Sequence, residues 1–249
     1  MFCSGRRTSY LLRPTSHGND VSVFYLAPSD VYRKVTSSAK GMRFIESERE
    51  GLRWYASRLG ESPACFIKSY CTVPSYSRLD LQTIGGTRLN YMSPLRSTAR
   101  YLELCVDHYV KTWPRVARVP CHGDLTLDNV FFLDSGPRFF DWEHFKPTGE
   151  QWGFDIAYLI LFSGSLPYAL QGCLPKEDRA ILHGLWRRLI DNGLDGSLSR
   201  QPLDHFRSVF QGSAHWRRVV KASPRKLFPM TLDRDFGNDL HSIVNGTLQ

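Results

Sequence analysis

The chain has 249 residues, 42% of them apolar, and Lys plus Arg exceed Asp plus Glu by 32 − 24 = 8. That composition supports a packed core in one large domain or two lobes and excludes a disordered chain. No run of eighteen apolar residues occurs, so no membrane span is expected. The start, MFCSGRRTSYLLRPTSHGND, has two arginines but no long apolar stretch before a small-residue cleavage site, so no secretory leader is read.

Cys3, Cys65, Cys71, Cys105, Cys121 and Cys173 form no CxxC pair and no regular spacing. This argues against zinc and against a disulfide framework, and a reducing cytoplasm is the expected compartment. The basic excess gathers late, in His-Trp-Arg-Arg-Val-Val-Lys (215–221) and Pro-Arg-Lys (224–226). It reads either as a solvated face or as an anion-binding rim. The second reading includes peripheral contact with an acidic membrane surface at the inner face. Nucleic acid is not an expected partner.

In chain order, Ser9 to Arg13 suggests a first strand, with Thr15 to Asp20 as its loop. Val-Ser-Val-Phe-Tyr-Leu (21–26) and Val-Tyr-Arg-Lys-Val (31–35) predict a hairpin closed by Ala-Pro-Ser-Asp (27–30). A helix follows over Met42 to Leu59, with an apolar stripe of Ile45, Leu52, Tyr55 and Leu59. Glu48 falls on that stripe, whereas Glu46, Glu50, Arg53 and Ser57 share the polar face. An inward carboxylate needs a cation, and Lys34, ending the preceding hairpin, is the natural partner.

Phe66 to Tyr70 and Arg78 to Ile84 predict two more strands, and Gly85-Gly86 breaks the pattern. A boundary there divides the chain into 1–86 and 87–249. Ser97 to Lys111 reads as helix. Phe154 to Asn192 reads as two helices separated around Gly164 to Pro175, and the tail from Leu203 is largely helical. A β-rich first part and a helical second part predict an α+β, two-lobed protein.

Between them lies CHGDLTLDNVFFLDSGPRFFDWE (121–143). Asn129-Val-Phe-Phe-Leu and Arg138-Phe-Phe-Asp141 predict a hairpin turning at Asp134-Ser-Gly-Pro137. Its open ends carry Asn129 and Asp141, expected to lie about 5 Å apart. An amide oxygen and a carboxylate beside an apolar core make a half-site for Mg²⁺. Asp124, on the loop before the hairpin, is placed to accept a proton from a hydroxyl. Trp142 and the phenylalanine pairs read as core.

His122-Gly-Asp-x-x-x-x-Asn129 followed by Asp141-Trp-Glu143 resembles the catalytic loop and metal motif of the aminoglycoside phosphotransferase and choline kinase superfamily. Gly153-Phe-Asp-Ile-Ala-Tyr158 resembles that family's Asp-Leu-Ala segment. Leu81 to Leu89 resembles its hinge. The resemblance covers most of residues 21 to 160. It implies a protein-kinase-like fold with a small β-rich N-lobe and a larger helical C-lobe. By the same resemblance Lys34 contacts the phosphates of ATP and Glu48 orients it. The backbone of Leu81, Gln82, Thr83 and Ile84 meets adenine, Asp124 is the base, and Asn129 and Asp141 hold Mg²⁺. His122 anchors the loop, Asp155 braces it, and Glu143 assists metal or substrate.

The implied activity is an ATP-dependent kinase whose acceptor is the hydroxyl of a small molecule or glycan, with the basic surplus favouring an anionic one. The chain departs from the pattern in having one glycine in Thr15 to Asp20, where a phosphate-cradling loop should lie. That departure keeps open a non-catalytic, kinase-like nucleotide-binding module. A third class, a metal-dependent hydrolase, would use His122, Asp124, Asp141, Glu143 and His144.

Overall fold

The computed structural model describes residues 9–13, 21–89, 93–171, 174–194 and 196–212. The loop expected over Thr15 to Asp20 and the basic stretches at 215–226 lie outside them. The chain divides into two compact units. The first is Met1–Gly85 with Phe140–Pro147, and the second is Gly86–Phe139 with Thr148–Gln249. The class is α+β. No helix among the described residues is long and apolar enough to cross a membrane.

The first unit is an antiparallel sheet with one long helix. Strands β1 (Ser9–Arg13), β2 (Ser22–Leu26), β3 (Val31–Thr36), β4 (Ile67–Val73) and β5 (Tyr76–Gln82) lie in the order β1-β2-β3-β5-β4. A short 3₁₀ turn, Ala27–Ser29, ending on left-handed Asp30, closes the β2–β3 hairpin. Helix α1 (Ala39–Leu59) starts three residues before the periodicity does, because Ser38 accepts a hydrogen bond from Gly41 N and caps it. Ile45, Leu52 and Tyr55 are buried as the stripe predicts, while Glu50, Arg53 and Ser57 are exposed. Ile45 packs with Val21 and Leu79 under the sheet.

The segment Phe140–Pro147 is anchored to α1 by an aromatic cluster. Trp142 lies 5.2 Å from the Tyr55 ring, 5.9 Å from Trp54 and 5.8 Å from Phe145. Gly51 makes this approach possible. A Cβ there would stand 2.8 Å from Trp142 Cβ and 3.0 Å from Phe145 Cβ.

In the second unit β6 (Thr87–Arg88), β7 (Val130–Leu133) and β8 (Gly136–Phe139) form a small sheet. Helices α2 (Leu95–Thr112), α3 (Phe154–Gln171) and α4 (Lys176–Asp191) pack on one another, followed by α5 (Gly196–Arg200) and α6 (Pro202–Gly212). Phe139 and Trp113 sit in this core, 5.7 Å between ring centres.

Two sequence expectations need correction. The predicted hairpin is shorter at its open end and tighter at its turn. Leu133 pairs with Gly136, so the turn is the two residues Asp134-Ser135, and the last pair is Val130 with Phe139. Asn129 instead closes a 3₁₀ turn, Leu127–Asn129, and Asp141 leaves extended geometry at φ 63°. That left-handed conformation is one a short polar side chain tolerates. The two helices expected over Phe154 to Asn192 are present, but their separation, expected around Gly164 to Pro175, starts later: α3 runs through Gly164 to Gln171 and α4 begins at Lys176. Gly164 serves close packing: a Cβ there would lie 2.7 Å from Leu182 Cδ1 of α4.

Candidate functional site

In the first unit four ionisable side chains meet in the interior. Lys34 lies on β3, Glu48 on the buried stripe of α1, and Asp141 and Glu143 on the segment after β8. Lys34 Nζ is 2.7 Å from Glu48 Oε2, 2.6 Å from Asp141 Oδ1 and 3.0 Å from Glu143 Oε1. The ammonium has three N–H donors, and three carboxylates surround it. Glu48 is 0% exposed, Glu143 is buried and Asp141 half-buried. The pairing of Lys34 with Glu48 is the one the helix periodicity predicts.

The charges are unequal in number, one cation against three carboxylates, and burial magnifies the mismatch. Burial, and then the neighbouring Asp141 and Glu143 carboxylates, push the Glu48 carboxyl up to about 8 against the pull of Lys34. Burial alone would lower the Lys34 ammonium. Asp141, Glu143 and Glu48 outweigh it and hold it well above the ordinary lysine range. One oxygen from each of the three carboxylates lies within 4.8 Å of the others, spacing that suits a cation. In this state the Lys34 ammonium is that cation.

The second unit holds the loop 122–129. Asp155, in the first turn of α3, accepts hydrogen bonds from His122 N at 2.8 Å and Gly123 N at 3.0 Å. Gly123 adopts φ 86°, which a side chain would resist. Asn129 Nδ2 donates to the Asp124 carbonyl at 2.8 Å, which leaves Oδ1 as the opposite, acceptor end of the amide. His122 is fully buried, and its Nδ1 lies 3.4 Å from Asp124 N. Beneath the loop, Cys121 Sγ accepts from Glu150 N at 3.1 Å, and Gly149 leaves room for the sulfur.

Of the expected residues, Lys34, Glu48 and Asp141 come together in the first unit, and Asp124 and Asn129 lie on one loop in the second. Asn129 and Asp141 thus belong to different units. Leu81 and Gln82 end β5, with Thr83 and Ile84 beyond it. Gln82 N donates to Phe66 O at 2.8 Å, and Thr83 Oγ1 donates to Asp30 O at 2.7 Å. Sequence reasoning left Glu143 without a definite role, and here it is a third partner of Lys34. The available signal was its spacing of two from Asp141 across a buried tryptophan. His144 meets the Phe44 ring edge-on, 5.5 Å between centres. Cys65, Cys71, Cys105 and Cys121 are free thiols. No protein-family model matches the chain, and no curated protein matches it.

Proposed function

We propose that the chain is an ATP-dependent phosphotransferase of the two-lobed, protein-kinase-like class. It resembles the aminoglycoside phosphotransferase and choline kinase superfamily and transfers the γ-phosphate to a hydroxyl of a small molecule or glycan. The observation that carries this reading is the buried Lys34 ammonium held by Glu48 of α1. A buried ammonium among three carboxylates is expensive to maintain for stability alone, and a buried lysine held by a helix glutamate is what the resemblance implies for a contact with nucleotide phosphates. The loop 122–129, with Asp124 exposed enough to receive a proton and its backbone clamped by Asp155, supports the same reading.

In this reading Lys34 contacts the nucleotide phosphates and Glu48 orients it. The backbone beyond β5, at Leu81 to Ile84, meets the adenine. Asp124 takes the proton from the acceptor hydroxyl as its oxygen bonds to the γ-phosphorus and the bond from that phosphorus to the bridging oxygen breaks, releasing ADP. Asn129, through Oδ1, and Asp141 offer the hard oxygens that would hold Mg²⁺. When bound, that ion neutralises phosphate charge. Orienting the reactants supplies much of the rate, because the transition state of phosphoryl transfer is loose.

One observation favours a second reading, a non-catalytic nucleotide-binding module. Three carboxylates already lie within 3.0 Å of the Lys34 ammonium, so phosphate must compete for it. Incubating the protein with γ-labelled ATP and Mg²⁺ in a whole-cell extract separates the two. The extract is divided into small molecules, lipid-linked glycans and protein, with Asp124→Asn run alongside. Label confined to one fraction and lost in the variant supports the kinase and gives the acceptor class. ATP binding with no label above the variant in any fraction supports the module.

A further inference from the structure

The backbone at and before Asp124 is held from α3 and from within its own loop. Asp155 takes the amides of the two residues before Asp124, and Asn129 takes the Asp124 carbonyl. Neither contact determines where the carboxylate points, and proton transfer depends on that direction. The control comes from α3. Asp155 and Tyr158 are three residues apart and so lie on one face of the helix, one turn along. Asp155 reaches the backbone of His122 and Gly123, and Tyr158 reaches the next residue, donating its hydroxyl to the Asp124 side chain.

The Tyr158 ring cannot swing away. It is 5% exposed and lies 5.8 Å from Phe162 on its own helix and 6.0 Å from Phe206 of α6. Burial first, and then the Asp124 charge and this hydrogen bond, raise the phenol well above the usual tyrosine range. It therefore stays a donor throughout the range in which a carboxylate base works.

We propose that Tyr158 is a positioning residue: its hydroxyl fixes the orientation of the Asp124 carboxylate toward the acceptor. This rests on the phosphotransferase reading and adds to it a residue that touches neither nucleotide nor acceptor.

Two measurements test it. The first is a double-mutant cycle in urea unfolding with Tyr158→Phe, Asp124→Ala and the pair, which needs no activity. Phe keeps the ring's shape, so the variant folds. A coupling of about fivefold or more in the unfolding equilibrium constant is expected for a buried hydrogen bond to a carboxylate. The second is steady-state transfer by Tyr158→Phe, using the acceptor fraction that takes label. We expect kcat to fall about 10- to 100-fold with KM for ATP and acceptor within about twofold, the split given by loss of an interaction that matters only in the transition state.

Coupling below about twofold overturns the hydrogen bond whatever the activity. Coupling with unchanged kcat, or with loss confined to KM, overturns the positioning role. Intact coupling in a wild type that transfers no phosphate overturns the phosphotransferase reading and the catalytic purpose of the bond, while the bond itself stands.

Discussion

The two units handle buried charge in opposite ways. In the first, Lys34 is surrounded by Glu48, Asp141 and Glu143, and burial, with the excess of carboxylates adding to it, drives Glu48 to keep a proton up to about 8. In the second, Asp155 is satisfied by two backbone amides of the loop it braces. A charge held by backbone dipoles serves geometry. A cluster of like charges around one cation is poised, because any competing cation or anion redistributes it. The first arrangement suits groups that must change partners on binding, and the second suits groups that must not move.

The sharpest way to break this contrast is Lys34→Met. It leaves two buried carboxylates and one half-buried carboxylate around an apolar side chain, and breaking a buried ion pair from one side costs about 3–5 kcal/mol. We expect that loss in urea unfolding at neutral pH, much of it recovered by adding Glu48→Gln. The cluster should also make stability depend on pH. Glu48 has a folded pKa of about 8 against an ordinary value of 4.5. The folded state therefore binds this proton more tightly than the unfolded state. Its contribution is full below about 4.5 and is lost as pH rises through about 8. Wild-type stability should fall between pH 5 and pH 9 by more than that of Glu48→Gln. Parallel curves for the two proteins would show that Glu48 does not carry the proton.

In the second unit, Asp155→Asn replaces one acceptor oxygen with a donor facing a backbone N–H. We expect about 2–3 kcal/mol from losing charged hydrogen bonds and leaving one amide unpaired. Faster amide exchange at His122 and Gly123 should accompany it, with no change in the pH dependence assigned to Glu48. Gly51→Ala probes how the first unit holds Asp141 and Glu143 in place. Its Cβ would meet Trp142 and Phe145 at 2.8–3.0 Å. Overpacking of this kind costs about 1–3 kcal/mol, and the tryptophan fluorescence of the cluster should shift.

Much of this was legible in the sequence where a period or a turn enforces it. Glu48 fell on the stripe of Ile45, Leu52 and Tyr55, so 3.6-residue periodicity alone turned it inward and called for Lys34. The strands β1 to β5 followed from β-branched and aromatic runs broken by turn residues. Periodicity failed where glycine has two meanings. The separation of the two helices is read as starting at Gly164, yet that glycine lies within α3 and lets α4 approach it. Turn chemistry likewise overextended the hairpin to Asn129 and Asp141, because propensity does not register a 3₁₀ turn or a left-handed aspartate. The contact of Glu143 with Lys34 and that of Tyr158 with Asp124 were missed for a third reason. The partners are distant in sequence, and only the fold joins residue 34 to 143 and residue 124 to 158.

The smallest expected effect lies on the other face of α1, and it isolates what burial does. Glu46 and Glu48 are two residues apart on one helix, yet their carboxyls move in opposite directions. Partial burial would raise Glu46, but hydrogen bonds from Arg49 and Tyr70 outweigh it and lower the carboxyl below its usual range. Tyr70 donates to Glu46 Oε2 at 2.6 Å, with the Arg49 guanidinium 4.4 Å from the centre of its ring. Because water still reaches this cluster, Tyr70→Phe should cost only about 0.5–1.5 kcal/mol, the net worth of one hydrogen bond. Sign and pH range also differ from Glu48. A lowered carboxyl contributes stability above its unfolded pKa and loses it as pH falls through the folded one. The difference between Tyr70→Phe and wild type should therefore narrow as pH falls below the ordinary carboxyl value of 4.5, with the loss near pH 8 untouched. A variant that altered the curve near pH 8 would mean that the two faces of α1 share one electrostatic network.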